Sequence, residues 1–571
     1  MKIRNIIIAV CTMIAASCNY LNVDETSGIL KHEDLYSEFS RVKAMLTKVY
    51  VSMPYYNGFS FAGGVVNNLA MRDCASDDAE FGTSSALIQN VNNGNWSASN
   101  TWDDAWSLYE GIRAANMFLE DFENVDLSNN YPNGGYDRDM DQLQYYPYEA
   151  RVLRAYYFFE LARRYGDIAM PTKVLTVNEA NTIGKTPFRE VVAFIVSECS
   201  ECAEKLPKTF ADVQQAEIGR VTKGFALALK TKALLYAASP LHNPDDDAER
   251  WKDAARAAQE VMDLGVYQLD KDGVYNKTTS SELILARMNG NNNSSYELYN
   301  FPVRFTYGTR GASFISGGNY PSQNLVDAFE TRNGYKVTLD AAGWHSDDPS
   351  FNPMRPYDNR DPRFARTILA DGMNFKGEQI EVYAGGADDV PVTMGGSATG
   401  YFVRKYLQED TNLDPMTTTT AYQHHWVVSR YAEILLSYAE AMVNAFGDGN
   451  YTDSEFKRSA LSALNEVRTN AGMPGAVSGS KQELIERIQN EWRVEFAFED
   501  HRFWDVRRWK IGASTQTRLY GVYIALGTNG TKVYRQRLVE NRVWSDRMNL
   551  YPIPQSELFK NTNLYPQNPQ W

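Results

Sequence analysis

Cysteine is scarce, with five residues in a chain of 571. Cys11 and Cys18 fall in the opening segment, which leaves Cys74, Cys199 and Cys202 for the rest. Three thiols cannot build a disulfide framework, even in an oxidising compartment. Cys199-x-x-Cys202 lies in a helical pattern over 188–206, so the thiols sit one turn apart on one face. Zinc needs four ligands, and no second pair or histidine cluster stands nearby. A redox pair would need a strand–turn–helix setting, which is missing. A packing role is the expectation. Histidine is also scarce, at six residues, and no H-E-x-x-H occurs. G-x-S-x-G and the phosphate-loop pattern are missing too, and Gly395-Gly396-Ser397-Ala398-Thr399-Gly400 fits neither. Carboxylate pairs such as Asp77-Asp78 arise by chance among 71 acidic residues. An enzyme is not expected. Basic charge is in deficit as well: 57 Lys and Arg against 71 Asp and Glu give −14. That balance argues against nucleic acid as a partner.

Long apolar runs are missing after Cys18, where no stretch approaches the ~20 residues of a spanning helix. The opening is different. Lys2 and Arg4 precede an apolar run from Ile6 to Ala16, which ends in Ala15-Ala16-Ser17-Cys18. A cationic start, about 7–15 apolar residues and small residues at the end make a secretory signal. Small residues before a cysteine resemble a bacterial lipobox, in which Cys18 would be diacylated and become the mature N-terminus. Ala15 stands where leucine is commoner, and a plain signal peptide cleaved near Ala16 is the other reading. Two or three acyl chains anchor a protein stably, at about 0.8 kcal/mol per buried methylene. The expectation is a chain tethered to a membrane by lipid and not threaded through it.

What is abundant is aromatic: 13% of residues, including 35 Tyr and 11 Trp. Tyr and Trp pair an apolar face with a polar tip, which suits amphipathic ligands, although aromatics more often fill cores. Helical periodicity runs from Asp34 to about Leu264. Phe225, Leu229, Ala233 and Tyr236 share one helix face, and that helix stops at Ser239-Pro240. A helix over 151–165 ends at Gly166, and one over 251–264 follows Asp245-Asp246-Asp247. That triplet suits helix capping; calcium is the alternative. From 267 to about 422 the pattern breaks into Gly, Asn, Pro and Ser with short aromatic runs. Loops on a rigid scaffold are where binding residues concentrate. Helices return over 429–445, 455–471 and 481–499, the last with Ile485, Ile488, Trp492 and Phe496 as its buried stripe. Strands and turns alternate from Ile511. His424-His425, if extended, point in opposite directions. The fold class is mainly α: a tetratricopeptide-like helical-repeat scaffold with a large irregular loop-rich insertion containing short strands. The expected segments are a signal peptide (1–17), a lipidated leader (18–33), an N-terminal helical-repeat half (34–266), the loop-rich ligand-binding insertion (267–425), C-terminal repeat helices (426–510) and a strand and turn tail (511–571).

Several stretches in order resemble a known family. Trp106-x-x-Tyr109-x-x-Ile112-x-x-Ala115-Asn116 comes first, then Glu149-Ala150-Arg151 leading to Arg164-Tyr165-Gly166-Asp167. Arg220-Val221-Thr222-Lys223-Gly224, Pro321-Ser322-Gln323-Asn324, Asp361-Pro362-Arg363-Phe364 and Arg430-Tyr431-Ala432-Glu433 follow. Asn465-Glu466-Val467-Arg468, the run 502–509 and Tyr551-Pro552-Ile553-Pro554 complete the series. On these the chain resembles the SusD/RagB-like outer-membrane lipoproteins of the Bacteroidetes. The resemblance implies a solenoid of helix pairs carrying an irregular ligand-binding half. It also implies a surface lid on a SusC-like TonB-dependent transporter, capturing an oligomeric nutrient, usually a glycan. A peptide cargo, or a structural lid without ligand affinity, are the alternatives. Asp24 and Glu25 resemble the group's acidic surface-export signals. No metal or cofactor is implied beyond the lipid on Cys18.

A sugar offers a C–H face that stacks on aromatic rings and hydroxyls that need carboxylate, amide or guanidinium partners. Two segments have that composition. The first holds Arg72, Asp73, Asp77 and Asp78, then Asn92, Asn93, Asn95 and Trp96. The second holds Phe305, Tyr307 and Arg310, with Tyr383 on a later loop. Related proteins place binding aromatics in the corresponding early loop and insertion, so Asp73, Asp77, Trp96, Tyr307, Arg310 and Tyr383 are the ligand-binding candidates. Packing against the helix that holds Trp106 is the other reading of Trp96.

Overall fold

The computed structural model describes residues 36–53, 70–123, 125–127, 131, 134–211, 213, 216–288, 292, 295–306, 318–390, 396–414 and 417–571. Its long helices pack in chain order. α1 (Phe39–Val51) lies on α2 (Leu108–Phe122), α2 on α3 (Tyr146–Tyr165), and α3 on α4 (Phe188–Ala203). α4 then lies on α5 (Lys223–Ala238) and α5 on α6 (Ala248–Met262). The stack continues directly from α6 to α7 (Tyr431–Phe446), against which α8 (Ala460–Asn470) and α9 (Lys481–Glu495) pack. Neighbour-on-neighbour packing is how a solenoid buries its faces, so the mainly α, tetratricopeptide-like scaffold is present.

Local chemistry sets the ends of these helices. α3 starts at Tyr146, ahead of the expected 151, because Pro147 fits a first turn whose N–H groups have no intrahelical partner. It ends at Gly166, where φ of +71° suits a residue without Cβ, and the Gly166 N–H donates to Ala162 O at 2.8 Å. α5 is capped by Thr222, and at Gly224 an added Cβ would lie 1.8 Å from the Tyr267 hydroxyl. Asp247 caps α6, its Oδ1 accepting the Glu249 N–H at 3.0 Å, so the acidic triplet works at a helix end. Cys199 and Cys202 are buried along α4, and burial pushes the Cys202 thiol up to about 12. Both expected positions 429 and 430 of the next helix belong instead to a strand, and the helix expected over 481–499 stops at Glu495.

The insertion leaves and rejoins the stack through one antiparallel pair. β2 (Leu283–Met288) pairs with β4 (His425–Arg430), Leu283 facing Arg430 and Met288 facing His425, and β4 runs straight into α7. Both histidines of the adjacent pair are buried and held: His424 Nε2 lies 3.0 Å from Glu297, and His425 Nε2 lies 2.8 Å from Val274 O. Between β2 and β4 the sheets are small. β1 (Ala79–Phe81) pairs with β3 (Asn319–Pro321), and Ile368–Leu369 pairs with Phe402–Val403. After the helices comes one long hairpin, β5 (Arg518–Leu526) with β6 (Lys532–Asn541).

Buried ion pairs join the stack to this irregular half. Arg430 bonds Glu282 at 2.6 Å, Glu495 at 2.8 Å and Glu499 at 2.8 Å. Arg363 reaches Asp361, Glu491 and Glu495, and Arg468 reaches Glu491 and Glu330. Burial by itself would raise the Glu495 carboxyl, but Arg430 and Arg363 outweigh it and hold it at about 2. Removing one member of such a network leaves charge buried without compensation. Arg430→Ala is therefore expected to lower unfolding stability in urea by about 3–5 kcal/mol. A loss under about 1 kcal/mol would mean that the three glutamates find other partners.

Candidate functional site

The early acidic segment is not a surface. Arg72, Asp73, Asp77, Asp78 and Trp96 are each at most 3% exposed. Asp77 is clamped by Arg502 at 2.8 Å, Arg493 at 2.9 Å and Gln516 at 2.7 Å. Burial opposes its charge, yet Arg493 and Arg502 hold its carboxyl well below the usual range. Asp78 pairs with Arg493 at 2.7 Å. Arg72 pairs with Asp103 and with Asp500 at 2.5 Å, over the ring of Trp504. Asp73 accepts the Phe498 N–H at 2.9 Å. Phe498 and Asp500 have φ of 61° and 64°, a region non-glycine residues avoid, so Asp73 and Arg72 hold the turn that ends α9. Trp96 packs on Trp102, Tyr551 and Trp571 with centroids 6.4, 4.7 and 5.0 Å apart. As placed, Asp73, Asp77 and Trp96 show a ligand neither a carboxylate nor a ring face, which corrects the expectation for all three. Nearby, Asn92 is buried and donates to Cys74 O at 3.0 Å, while Asn93 and Asn95 are exposed.

Tyr383 is placed differently. It sits half-buried on the loop 381–389, with Lys532 Nζ 4.9 Å from its ring centroid. Asp388 braces that loop from inside, accepting the Glu381 N–H at 2.9 Å. Asp388 also takes Arg304 through two bonds, of 3.2 and 3.0 Å. Arg304 belongs to the short turn Val303–Phe305, where Phe305 packs on Phe375 at 5.1 Å. In the sequence, that turn immediately precedes the segment that carries Tyr307 and Arg310. At the far end of the same segment, Gly318 O accepts the Gly82 N–H and Asn319 Oδ1 accepts the Met71 N–H at 2.6 Å. Cys18, Tyr307 and Arg310 themselves lie outside the described residues.

Sequence reasoning missed Tyr523. In β5, Val522 and Ile524 point inward, so Tyr523 points out and is 43% exposed, paired across the hairpin with Arg535. Ala384 N–H donates to Ile524 O at 2.8 Å, which lays the Tyr383 loop against that strand. Period-two alternation around Tyr523 was the available signal. Tyr523 beside Arg535 on the outer side of the hairpin, and Tyr383 beside Lys532, itself paired with Asp371, are thus two aromatic rings next to cations on rigid backbone, each able to stack on a planar or ring-shaped group.

Residues 281–571, just over half of the chain, match the family model described as SusD family. The chain belongs to the SusD family. Residues 19–235 match a second model, described as starch-binding associating with outer membrane. SusD-like protein P2 of Formosa agariphila is 26% identical over 596 aligned residues, spanning 100% of both chains. A SusD-like protein of Bacteroides fragilis with a solved structure is 27% identical, with a TM-score of 0.76 over 95% of this chain and 99% of that one. A SusD-like carbohydrate binding protein of the same species, 24% identical, has a TM-score of 0.70 over 93% and 100%, a likeness of fold.

For a SusD-family chain, the motifs quoted from the sequence prove to be frame. Arg164, Arg220, Arg363, Arg430 and Arg468 all enter buried ion pairs. Among the described residues no group of His, Cys, Asp and Glu is arranged to hold a metal ion, and no helix is long and apolar enough to cross a membrane. Burial, with Asp78 and Asp500 alongside, pushes the Asp73 carboxyl up to about 8 from 3.8. Between those values the folded chain holds a proton that the unfolded chain has lost, so stability falls as pH rises through the window. Asp73→Asn keeps the acceptor for Phe498 and removes the titration. From pH 5 to 7 the variant is expected to gain on the wild type by about 1.4 kcal/mol per pH unit in chemical denaturation. Parallel stability profiles would show that Asp73 is already ionised.

Proposed function

We propose that the protein is a non-catalytic binder that captures an oligomeric glycan at the outer face of the outer membrane, held there by acyl chains on Cys18. It passes the cargo to a SusC-like TonB-dependent transporter. The observation that carries this reading is the match of residues 19–235 to a family described as starch-binding associating with outer membrane. The exposed rings of the irregular half give it a physical basis. Tyr383 and Tyr523 supply stacking faces and Arg535 supplies donors for hydroxyls, while Tyr307 and Arg310 remain candidates on the sequence alone. Peptide capture by the same face is the competing cargo.

Screening the purified mature chain against oligosaccharide and oligopeptide arrays separates the two cargoes. Binding to an oligosaccharide without cleavage is expected, weakened about two- to tenfold in Tyr383→Ala and in Tyr523→Ala, since an aromatic contact of this kind carries about 0.5–1.5 kcal/mol. Affinity unchanged in both variants, with circular dichroism intact, would move the site elsewhere, and binding to peptides alone would overturn the glycan. For the anchor, Cys18→Ala is expected to release the protein from the outer membrane on cell fractionation. Retention there would refute lipidation as the tether. Mild-detergent purification of the tagged wild type is expected to bring down a large TonB-dependent partner.

A further inference from the structure

One face of α2 turns toward α3 and the strap that follows it, with Asn116 Oδ1 accepting from Arg154 at 2.8 Å. Tyr109, Arg113 and Asn116 recur at four and three residues along α2, and Trp106 stands in the turn just ahead of it, lining the same cavity. The strap joining α3 to α4 and the C-terminal helix Gln555–Lys560 close over this stripe and leave a cavity of about 290 Å³. Its floor is aromatic: Trp106 meets Tyr109 at 5.0 Å and Tyr165 edge-on at 5.5 Å between centroids. Its sides include Pro171, Leu175 and Ile183, so the interior is largely apolar.

The walls are built before any ligand arrives. Asn116 Nδ2 donates to Pro171 O at 3.0 Å and to Lys173 O at 2.9 Å, and the Tyr109 hydroxyl donates to Ala169 O at 3.0 Å. A capping box between Thr176 and Glu179 fixes the strap's single turn. Asn561 Nδ2 donates to Ile183 O at 2.8 Å and Asn563 Nδ2 to Thr182 O at 2.5 Å, tying strap to tail. These bonds tie down the strap and the tail, and the charged groups stand at the mouth. There Lys173 is paired with Glu179 and Lys560 with Glu557. Arg113 makes one long bond to Leu175 O, at 3.5 Å, and no ion pair among the described residues. It is exposed, and its positive charge is the one left over.

We infer that this cavity is a second saccharide site, specific for a uronic acid residue. The inference rests on the proposed role in glycan capture and extends it to a separate face of the molecule. The C–H face of the sugar ring lies on Trp106, and its carboxylate forms a two-point pair with the Arg113 guanidinium, whose planar fork matches it. The volume is at the low end for ligand cavities, about 300 Å³, so it admits one ring, with further units running out past Lys560. A neutral ring would gain the stacking and leave Arg113 without an anion.

The test is calorimetric titration of the mature chain with trimers of galacturonate, glucuronate and mannuronate, and with neutral galactotriose as control. At least one uronate trimer is expected to bind more tightly than the control, with affinity falling as salt rises. Arg113→Gln is expected to weaken that uronate at least tenfold, and Ile183→Trp, which fills the cavity from the strap, to abolish its binding. Arg113 is at the mouth and Ile183 in a side wall, so both changes leave the aromatic floor in place and circular dichroism should be unchanged. Absence of uronate binding, or uronate affinity unchanged in Arg113→Gln, overturns the inference. Uronate binding lost in Tyr383→Ala and Tyr523→Ala but kept in Arg113→Gln assigns the ligand to the irregular half, which sinks this site and spares the proposed function. Uronate loss confined to Arg113→Gln, with no oligosaccharide bound at the other face, supports this site and removes that one.

Discussion

Guanidinium–carboxylate pairing in the core is the interaction on which the rest of the structure depends. Arg430, Arg363 and Arg468 share Glu282, Glu330, Glu491, Glu495 and Glu499 across strand β4, the helix Pro362–Thr367 and helices α8 and α9. Arg72, Arg163 and Arg164 share Asp103, Glu160 and Asp500 around the single ring of Trp504. Each charge left unmatched in such a setting costs several kcal/mol, so the pairs form together or not at all. The partners are far apart in sequence, Arg72 with Asp500 and Asp77 with Arg502. A stack of helices that touch only their neighbours would tolerate local opening. This one is cross-linked by charge from its first described segments to its last helices, and the insertion is fastened at both ends by the same means.

That rigidity has a cost which the backbone shows. Phe498 and Asp500 stand at positive φ directly after α9, a conformation worth of order 1–3 kcal/mol each in strain. Asp73, pushed up to about 8, is a buried acid held mostly in its protonated form at neutral pH. Both are tolerable because the surrounding pairs over-determine the geometry. The benefit appears at the surface, where loops can be long without being slack. The 381–389 loop is braced from inside by Asp388 and Arg304, and from beside by a backbone bond to β5.

How far the chain could be read without its structure follows from this. The helices were legible wherever apolar periodicity and a terminator coincided, as at Gly166 and at Ser239-Pro240. Boundaries failed where a tertiary contact decided them. α9 stops four residues early because Asp73 captures the Phe498 N–H, and nothing between 481 and 499 signals that. Ser429 and Arg430 read as helix by composition but are strand, because β2, more than 130 residues upstream, supplies their partner. The candidate site failed for the related reason that burial is not a property of composition. Arg72, Asp73, Asp77 and Asp78 have the polar density of a binding loop, and so does a buried network of ion pairs. Tyr383, in a Gly-rich stretch where no periodicity competes, is the described candidate that the structure leaves partly exposed. Tyr523 was not, because its segment looks like any amphipathic strand until the hairpin shows which face is free.

The aromatic excess illustrates the same limit. It suits a surface for amphipathic ligands but more often marks a core, and Trp96, Trp102, Trp251, Trp492 and Trp504 are all fully buried. Four of the five stand against arginine or other aromatic rings. Large flat side chains are what a core of buried guanidinium groups requires, since an aromatic face stabilises a cation that has lost its water. Much of the excess is therefore explained by the charge network. The rings left partly exposed are few, among them Tyr383, Tyr523, Trp106 and Tyr109. Their partial exposure is set by backbone hydrogen bonds in the elements beneath them. The recognition proposed for this molecule therefore falls to few rings, firmly placed.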